Sequence, residues 1–308
     1  MAKIKQNIFL FLFIGIIIGF SIPFLFAFDD TTKNVEKTKK HYTNPSKVYS
    51  PYIPDSVFFC DEKVPIEIDN IYEALDYELI INMYRHSSTL IYLKRANKYF
   101  PEIEKFLEEN NLPDDIKYLC VAESGLENGI SSSGAVGFWQ FMKKTGTEFG
   151  LTINNDVDER YNTKLSMNAA GNFLKQSYRK FGSWSLATAS YNMGVSGLQK
   201  DISNQKINSY WDLYLNKETS RYIFRILALK IIMNNPKIYG YEISDDELYK
   251  VHETYSITID TTINDLVQFA FDNNINYKIL KYYNPWLISN QLINKEKKTY
   301  EIILPIKK

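Results

Sequence analysis

Asn111-Leu112-Pro113-Asp114-Asp115-Ile116-Lys117-Tyr118-Leu119-Cys120-Val121-Ala122-Glu123-Ser124-Gly125 is the stretch on which the reading of this chain turns. From Pro113 to Ala122 the pattern is helical: Asp114 or Asp115 can cap it, and Ile116, Leu119 and Cys120 recur at helical spacing. Glu123 extends the same stripe, because 116, 119/120 and 123 stand at i, i+3/i+4 and i+7. A carboxyl group on the apolar face of a helix is costly to ionise, so its pKa is expected to rise. An acid still protonated near neutral pH is what general acid catalysis requires. The pattern also admits a helix that ends at Ser124-Gly125 with Glu123 frayed into solvent, and the stripe alone does not separate the two.

On either side of this segment the chain changes texture several times. Lys3 and Lys5 precede an uncharged apolar run, Ile8 to Phe28, which reads as an export signal, either cleaved or retained as a membrane anchor. Residues 29–62 are polar and proline-bearing and read as a linker. From 63 to 240 helical periodicity dominates: Tyr72, Leu75, Leu79 and Met83 fit one stripe, and Leu93, Ala96 and Phe100 begin another that Pro101 is expected to break. Further helices are expected over Thr163 to Arg179, Trp184 to Tyr191 and Ser220 to Met233, with a loop at Ser131 to Gly134. Residues 241–308 differ. Tyr255 to Ile259 alternates like a strand, Asn264 to Phe271 and Tyr277 to Tyr283 read as short helices, and Tyr300 to Leu304 closes as a second strand. The fold class expected is mainly α, with a small βααβ module at the C-terminus.

Composition narrows the function. Lys+Arg and Asp+Glu both number 36, and no basic run stands out, so nucleic acid is not an expected partner. The 23 Tyr and 19 Phe are numerous; most must be core, but aromatic faces also stack on sugar rings, so the excess is compatible with a glycan groove. His41, His86 and His252 lie far apart and give no metal-ligand spacing. Cys120 reads as a small buried hydrophobe, and a Cys60–Cys120 disulfide is the less favoured alternative.

Four blocks in order carry a family resemblance. Glu123-Ser124-Gly125 is followed by Ser131, then by Gly134-Ala135-Val136-Gly137-Phe138-Trp139-Gln140-Phe141-Met142, then by Ala189-Ser190-Tyr191-Asn192-Met193-Gly194, then by Glu218-Thr219-Ser220-Arg221-Tyr222. Together they resemble the catalytic core of the lytic transglycosylases, of the membrane-bound murein transglycosylase D type, which cleave peptidoglycan on a goose-type lysozyme-like helical fold. The tail resembles a LysM module, a small glycan-binding domain, although Ile259-Asp260-Thr261-Thr262-Ile263 stands where a Gly-Asp-Thr turn is usual. Glycan binding and a structural cap are both open for it.

The resemblance implies a role for each matched residue. Glu123 is the acid, then the base. Ser131 holds the carboxyl or polarises an N-acetyl group, unless it only makes a turn. Gln140 lines the sugar groove, Tyr191 and Asn192 match the family's Tyr-Asn pair, and Tyr222 brings its hydroxyl to the catalytic carboxyl. Trp139 reads as core, and Asp158 and Arg160 as a structural pair. A two-carboxylate glycosidase would need a partner for Glu123, and Asp156, Asp158 and Glu159 are the nearest acids after Gln140. Without such a partner, the implied reaction closes a 1,6-anhydro ring on muramic acid and needs no metal and no organic cofactor. The alternatives are a catalytically inactive peptidoglycan-binding or scaffolding protein and a lysozyme-type hydrolase. The implied partner is the peptidoglycan glycan strand, with the membrane as a second if the N-terminal segment is retained, and the implied location is the periplasm or cell envelope.

Overall fold

The structure, a computed structural model, describes residues 48–306. The run Ile8 to Phe28 and most of the expected linker lie outside the described residues. No helix among the described residues is long and apolar enough to cross a membrane.

The last part of the expected linker is not a linker. Val57–Phe59 (β1) and Glu62–Val64 (β2) pair antiparallel, with Val57 opposite Val64 and Phe59 opposite Glu62. Both turn residues, Cys60 and Asp61, have positive φ (49° and 65°), where Asn or Gly is the usual choice. The Cys60 N–H donates to the Asp115 carboxylate at 2.6 Å, which holds the turn from outside. Val57, Phe59 and Val64 are buried. Strands of three residues are too short to display alternation, and Cys-Asp is not a turn signature, so composition alone reads as linker.

Eight helices follow: Asp69–Tyr84 (α1), His86–Glu109 (α2), Ile116–Ser124 (α3), Lys143–Glu148 (α4), Thr163–Phe181 (α5), Trp184–Met193 (α6), Val195–Gln205 (α7) and Lys217–Asn234 (α8). Pro101 does not break α2. The helix runs through it, with Ala96 on one side and Ile103 and Leu107 on the other all buried, so tertiary burial outweighs the lost backbone bond. α8 forms the centre: Ile223, Ile226, Leu227, Ala228 and Ile232 are fully buried, and the helix packs against α1, α3 and α6. α5 packs against α6, and the Ser190 hydroxyl on α6 donates to the Ser177 hydroxyl on α5 at 3.0 Å. The N-terminus of α6 is closed by Glu62, whose carboxylate accepts from the Ser183 hydroxyl and the Trp184 and Ser185 backbone N–H groups. A negative charge there also complements the helix dipole. Cys60 and Cys120 are both free and buried, so the two are not joined by a disulfide.

Thr254–Ile259 (β3), Leu266–Asp272 (α9), Tyr277–Tyr283 (α10) and Tyr300–Pro305 (β4) complete the chain in the expected βααβ order. β3 and β4 pair antiparallel from Thr254 opposite Pro305 to Ile259 opposite Tyr300. Asp265 caps α9 and Asn276 caps α10 through their side chains. The module has its own apolar core, which includes Leu266, Ala270, Leu280, Trp286, Ile302 and Leu304; from the helical part Val157 is a buried member and Tyr161 packs against it. Residues from Pro51 onward form one unit. Tyr241, grouped by sequence with the module, is buried in the helical core and donates to the Met83 carbonyl at 2.6 Å.

Candidate active site

Glu123 stands one residue before the end of α3, which stops because Gly125 turns left-handed at φ 61° and returns its N–H to the Val121 carbonyl. A Cβ on Gly125 would lie 2.2 Å from the Tyr92 ring, so only glycine fits. Asp115 does not cap this helix. Its carboxylate is taken by Cys60 and by Lys230, and Asp114 pairs with Lys117 at 2.6 Å. α3 is held by burial instead, since Ile116, Tyr118, Leu119, Cys120 and Val121 are all enclosed.

This setting decides between the two readings of Glu123. The residue is half-buried, and its carboxyl accepts a hydrogen bond from the Tyr222 hydroxyl. Burial pushes its pKa up to about 7; the Tyr222 bond and the Arg225 guanidinium oppose the rise, and the Glu218 carboxylate adds to it. The Tyr222 and Tyr191 hydroxyls are buried, and desolvation together with the nearby Glu123 charge keeps both phenols protonated. Glu123 can therefore hold a proton near neutral pH, which is what a general acid requires.

The loop after α3 carries two more expected residues. Ser131 closes its own turn: its hydroxyl accepts from the Ala135 N–H at 3.0 Å and lies 3.0 Å from the Ser133 hydroxyl. That is the turn-forming role, and its bonds run within the loop and not to Glu123. Gln140 sits at φ 47°, and its amide folds back to donate to the carbonyls of Gly137 (2.8 Å) and Gly129 (3.4 Å). Gly137 has φ 84°, and a Cβ there would meet the Arg160 carbonyl oxygen at 2.0 Å. Trp139 is buried in the core, and its carbonyl accepts from the Tyr191 hydroxyl at 2.7 Å, which ties the loop to α6.

Asn192 follows on α6. Its amide donates to Glu218 at 3.0 Å and accepts from the Thr219 hydroxyl at 2.7 Å. The structure thus joins Glu123 to Tyr222 directly, places Asn192 at the start of α8, and links Tyr191 to the loop of Ser131 and Gln140. The motif reading missed Glu218 and Arg225 as groups acting on Glu123. Helical spacing could have found them, because 218, 222 and 225 lie at i, i+4 and i+7 on α8.

The acids weighed as a second carboxylate are committed elsewhere. Asp156 accepts from the Ser289 hydroxyl at 2.9 Å, Asp158 pairs with Arg160 at 2.6 Å, and Glu159 pairs with Lys298 at 2.5 Å.

Known proteins resemble this chain at the level of its domains. Residues 101–214 match the family model of the transglycosylase SLT domain, and residues 255–308 match that of the soluble lytic transglycosylase C-terminal LysM-like domain. Membrane-bound lytic murein transglycosylase D of Escherichia coli strain K12 is 32% identical over 180 residues, which is 56% of this chain and 39% of that protein. The protein of the same name from Escherichia coli O6:H1 gives the same identity and coverage. The chain thus spans about two-fifths of the length of these relatives. It carries an SLT domain and a LysM-like domain and is homologous to them.

Proposed function

We propose that this chain, with its SLT and LysM-like domains, is a lytic transglycosylase of peptidoglycan. In this reading it cleaves the MurNAc-β-1,4-GlcNAc bond and leaves a 1,6-anhydro-MurNAc end. One observation carries it: the Tyr222-bonded carboxyl of Glu123, pushed by burial to a pKa of about 7. Glu123 gives its proton to the glycosidic oxygen as the C1–O bond breaks. The resulting carboxylate then takes the proton of the muramic acid C6 hydroxyl, whose oxygen closes on C1. One carboxyl serves both steps and no water is consumed. Tyr222 orients the carboxyl, and Tyr191, Asn192, Gln140 and Ser131 line or shape the sugar-binding side. The engagement of Asp156, Asp158 and Glu159 in ion pairs and hydrogen bonds also favours a single-carboxyl route. The relatives' names place them at the membrane and on murein; with the apolar run Ile8 to Phe28, they favour an exported, envelope-located protein.

A second reading, a lysozyme-type hydrolase, is favoured by one feature: Glu218 is a second carboxylate near enough to act on Glu123. Mass spectrometry of digested peptidoglycan separates the two. Muropeptides lighter by one water mark the anhydro product, reducing ends mark the hydrolase, and an undigested wall marks a binding protein.

A further inference from the structure

The stretch Asp156–Tyr161 crosses from the core of the C-terminal module to the underside of the loop that follows Glu123. At the module end, the Asp156 carboxylate accepts from the Ser289 hydroxyl (2.9 Å), the Gln291 amide (3.4 Å) and the Ile293 N–H (3.2 Å), and its carbonyl accepts from the Ile288 N–H (2.9 Å). Val157 is 1% exposed and packs as a member of the module's own core. The Asp158 N–H donates to the Trp286 carbonyl at 2.9 Å, and Lys298 reaches Glu159.

At the loop end, the buried Arg160 does the joining. Two of its nitrogens grip the Asp158 carboxylate at 2.9 and 2.6 Å. Its third, Nη1, donates to the carbonyls of Phe141 (3.1 Å) and Gly134 (3.3 Å). Its own carbonyl occupies the space that the missing side chain of Gly137 leaves. Beside it, the Asn128 amide donates to the Tyr161 carbonyl at 3.2 Å. Arg160 therefore fixes the loop at residues 134, 137 and 141, on both sides of Gln140.

We infer that the C-terminal module is a positioning element for the Gly129–Phe141 loop, acting through the Asp156–Arg160 strap, with Arg160 as the positioning residue. A module kept only to hold the enzyme on its substrate needs no more than a tether. Here the strap lends a residue to the module's core and receives in return the bonds that fix its own path. Contiguous hydrogen-bond networks are one physical route by which coupling between two sites travels, and small misplacements of a substrate-facing loop are costly to catalysis. The inference rests on the reading of Glu123 and this loop as one active site.

The test uses full-length Asp156→Ala, which strips the anchor without touching the loop, and Asp156→Asn, which keeps an acceptor oxygen for Ser289. Hydrogen exchange of the loop amides is measured beside that of α8, and kcat and KM are measured on a soluble, uncrosslinked glycan oligosaccharide. Asp156→Ala is expected to speed exchange at the Gly137 and Phe141 amides while α8 stays protected. It is also expected to lower kcat on the order of tenfold to a hundredfold, with Asp156→Asn restoring part of both. Loop exchange and kcat equal to wild type would overturn the inference. So would uniform loosening of α8 and the loop together, because that is lost stability and not positioning. If the wild-type chain fails to cleave the oligosaccharide, the functional reading falls, and the exchange comparison still decides the coupling.

Discussion

The hydroxyl of Tyr222, on α8, donates its hydrogen bond to the carboxyl of Glu123, on α3, ninety-nine residues earlier in the chain. Hydrogen bonding to a carboxylate favours the charged form, so this bond restrains the pKa that burial raises. Tyr222→Phe removes the restraint and the orientation together. The alkaline limb of the rate profile is expected to move to higher pH, and kcat to fall on the order of tenfold. A limb that moved to lower pH would contradict the role assigned to the phenol.

Glu123→Gln should cut glycan cleavage by on the order of a hundredfold or more, because the proton donor is gone. It should also stabilise the fold, and the sign follows from linkage. The carboxyl titrates near 4.5 when unperturbed and near 7 in the folded chain. Between those values the folded chain keeps a proton that the unfolded chain has lost, so stability falls as pH rises through that window. Glutamine has no proton to lose. The variant should therefore match wild type at pH 4 and exceed it at pH 8 by about 1–3 kcal/mol. Denaturant melts at the two pH values check this, and a variant less stable than wild type at pH 8 would contradict it.

Glu218 and Arg225 act on Glu123 with opposite signs. Glu218→Gln removes a negative charge and should shift the alkaline limb to lower pH. Arg225→Gln removes a positive charge and should shift it to higher pH. Both shifts should shrink as salt is raised, because Glu218 is exposed and Arg225 only half-buried. Two shifts in the same direction would mean that the limb reports some other group.

How much of this was legible in the sequence depended on distance along the chain. The Glu123 stripe and the helices α5, α6 and α8 were readable because their signal is local periodicity. The βααβ tail was readable for the same reason. Tyr222 was readable only through its motif, since nothing local points from α8 to α3. The β1–β2 hairpin was hidden because its turn is held by Asp115, 55 residues away. The strap was hidden more deeply. Its anchors include Ile293 N–H and Ile288 N–H, backbone groups that carry no side-chain identity, and Ser289, 133 residues from Asp156. Asp114 and Asp115 misled because the first N–H groups of α3 already donate to the backbone carbonyls of Pro113, Asp114 and Asp115, which leaves both carboxylates for other partners.

The place where the helical part ends can be tested by truncation. Sequence texture puts the boundary at Gly240, but Tyr241 lies in the helical core, and the Tyr249 N–H donates to the Lys94 carbonyl of α2. We propose that the module begins between Tyr249 and Thr254. A chain ending at Tyr239 loses Tyr241, which is 5% exposed and bonded to the end of α1. A chain ending at Lys250 keeps it. Burial of one large side chain contributes about 2 kcal/mol, so the longer chain should melt several degrees higher, at roughly 2–4 °C per kcal/mol for a domain of this size. Both should melt below the full chain, because each leaves Val157 uncovered and Glu159 without Lys298. Thermal melts followed by circular dichroism measure the order. Equal melting temperatures for the two truncations would return the boundary to Gly240.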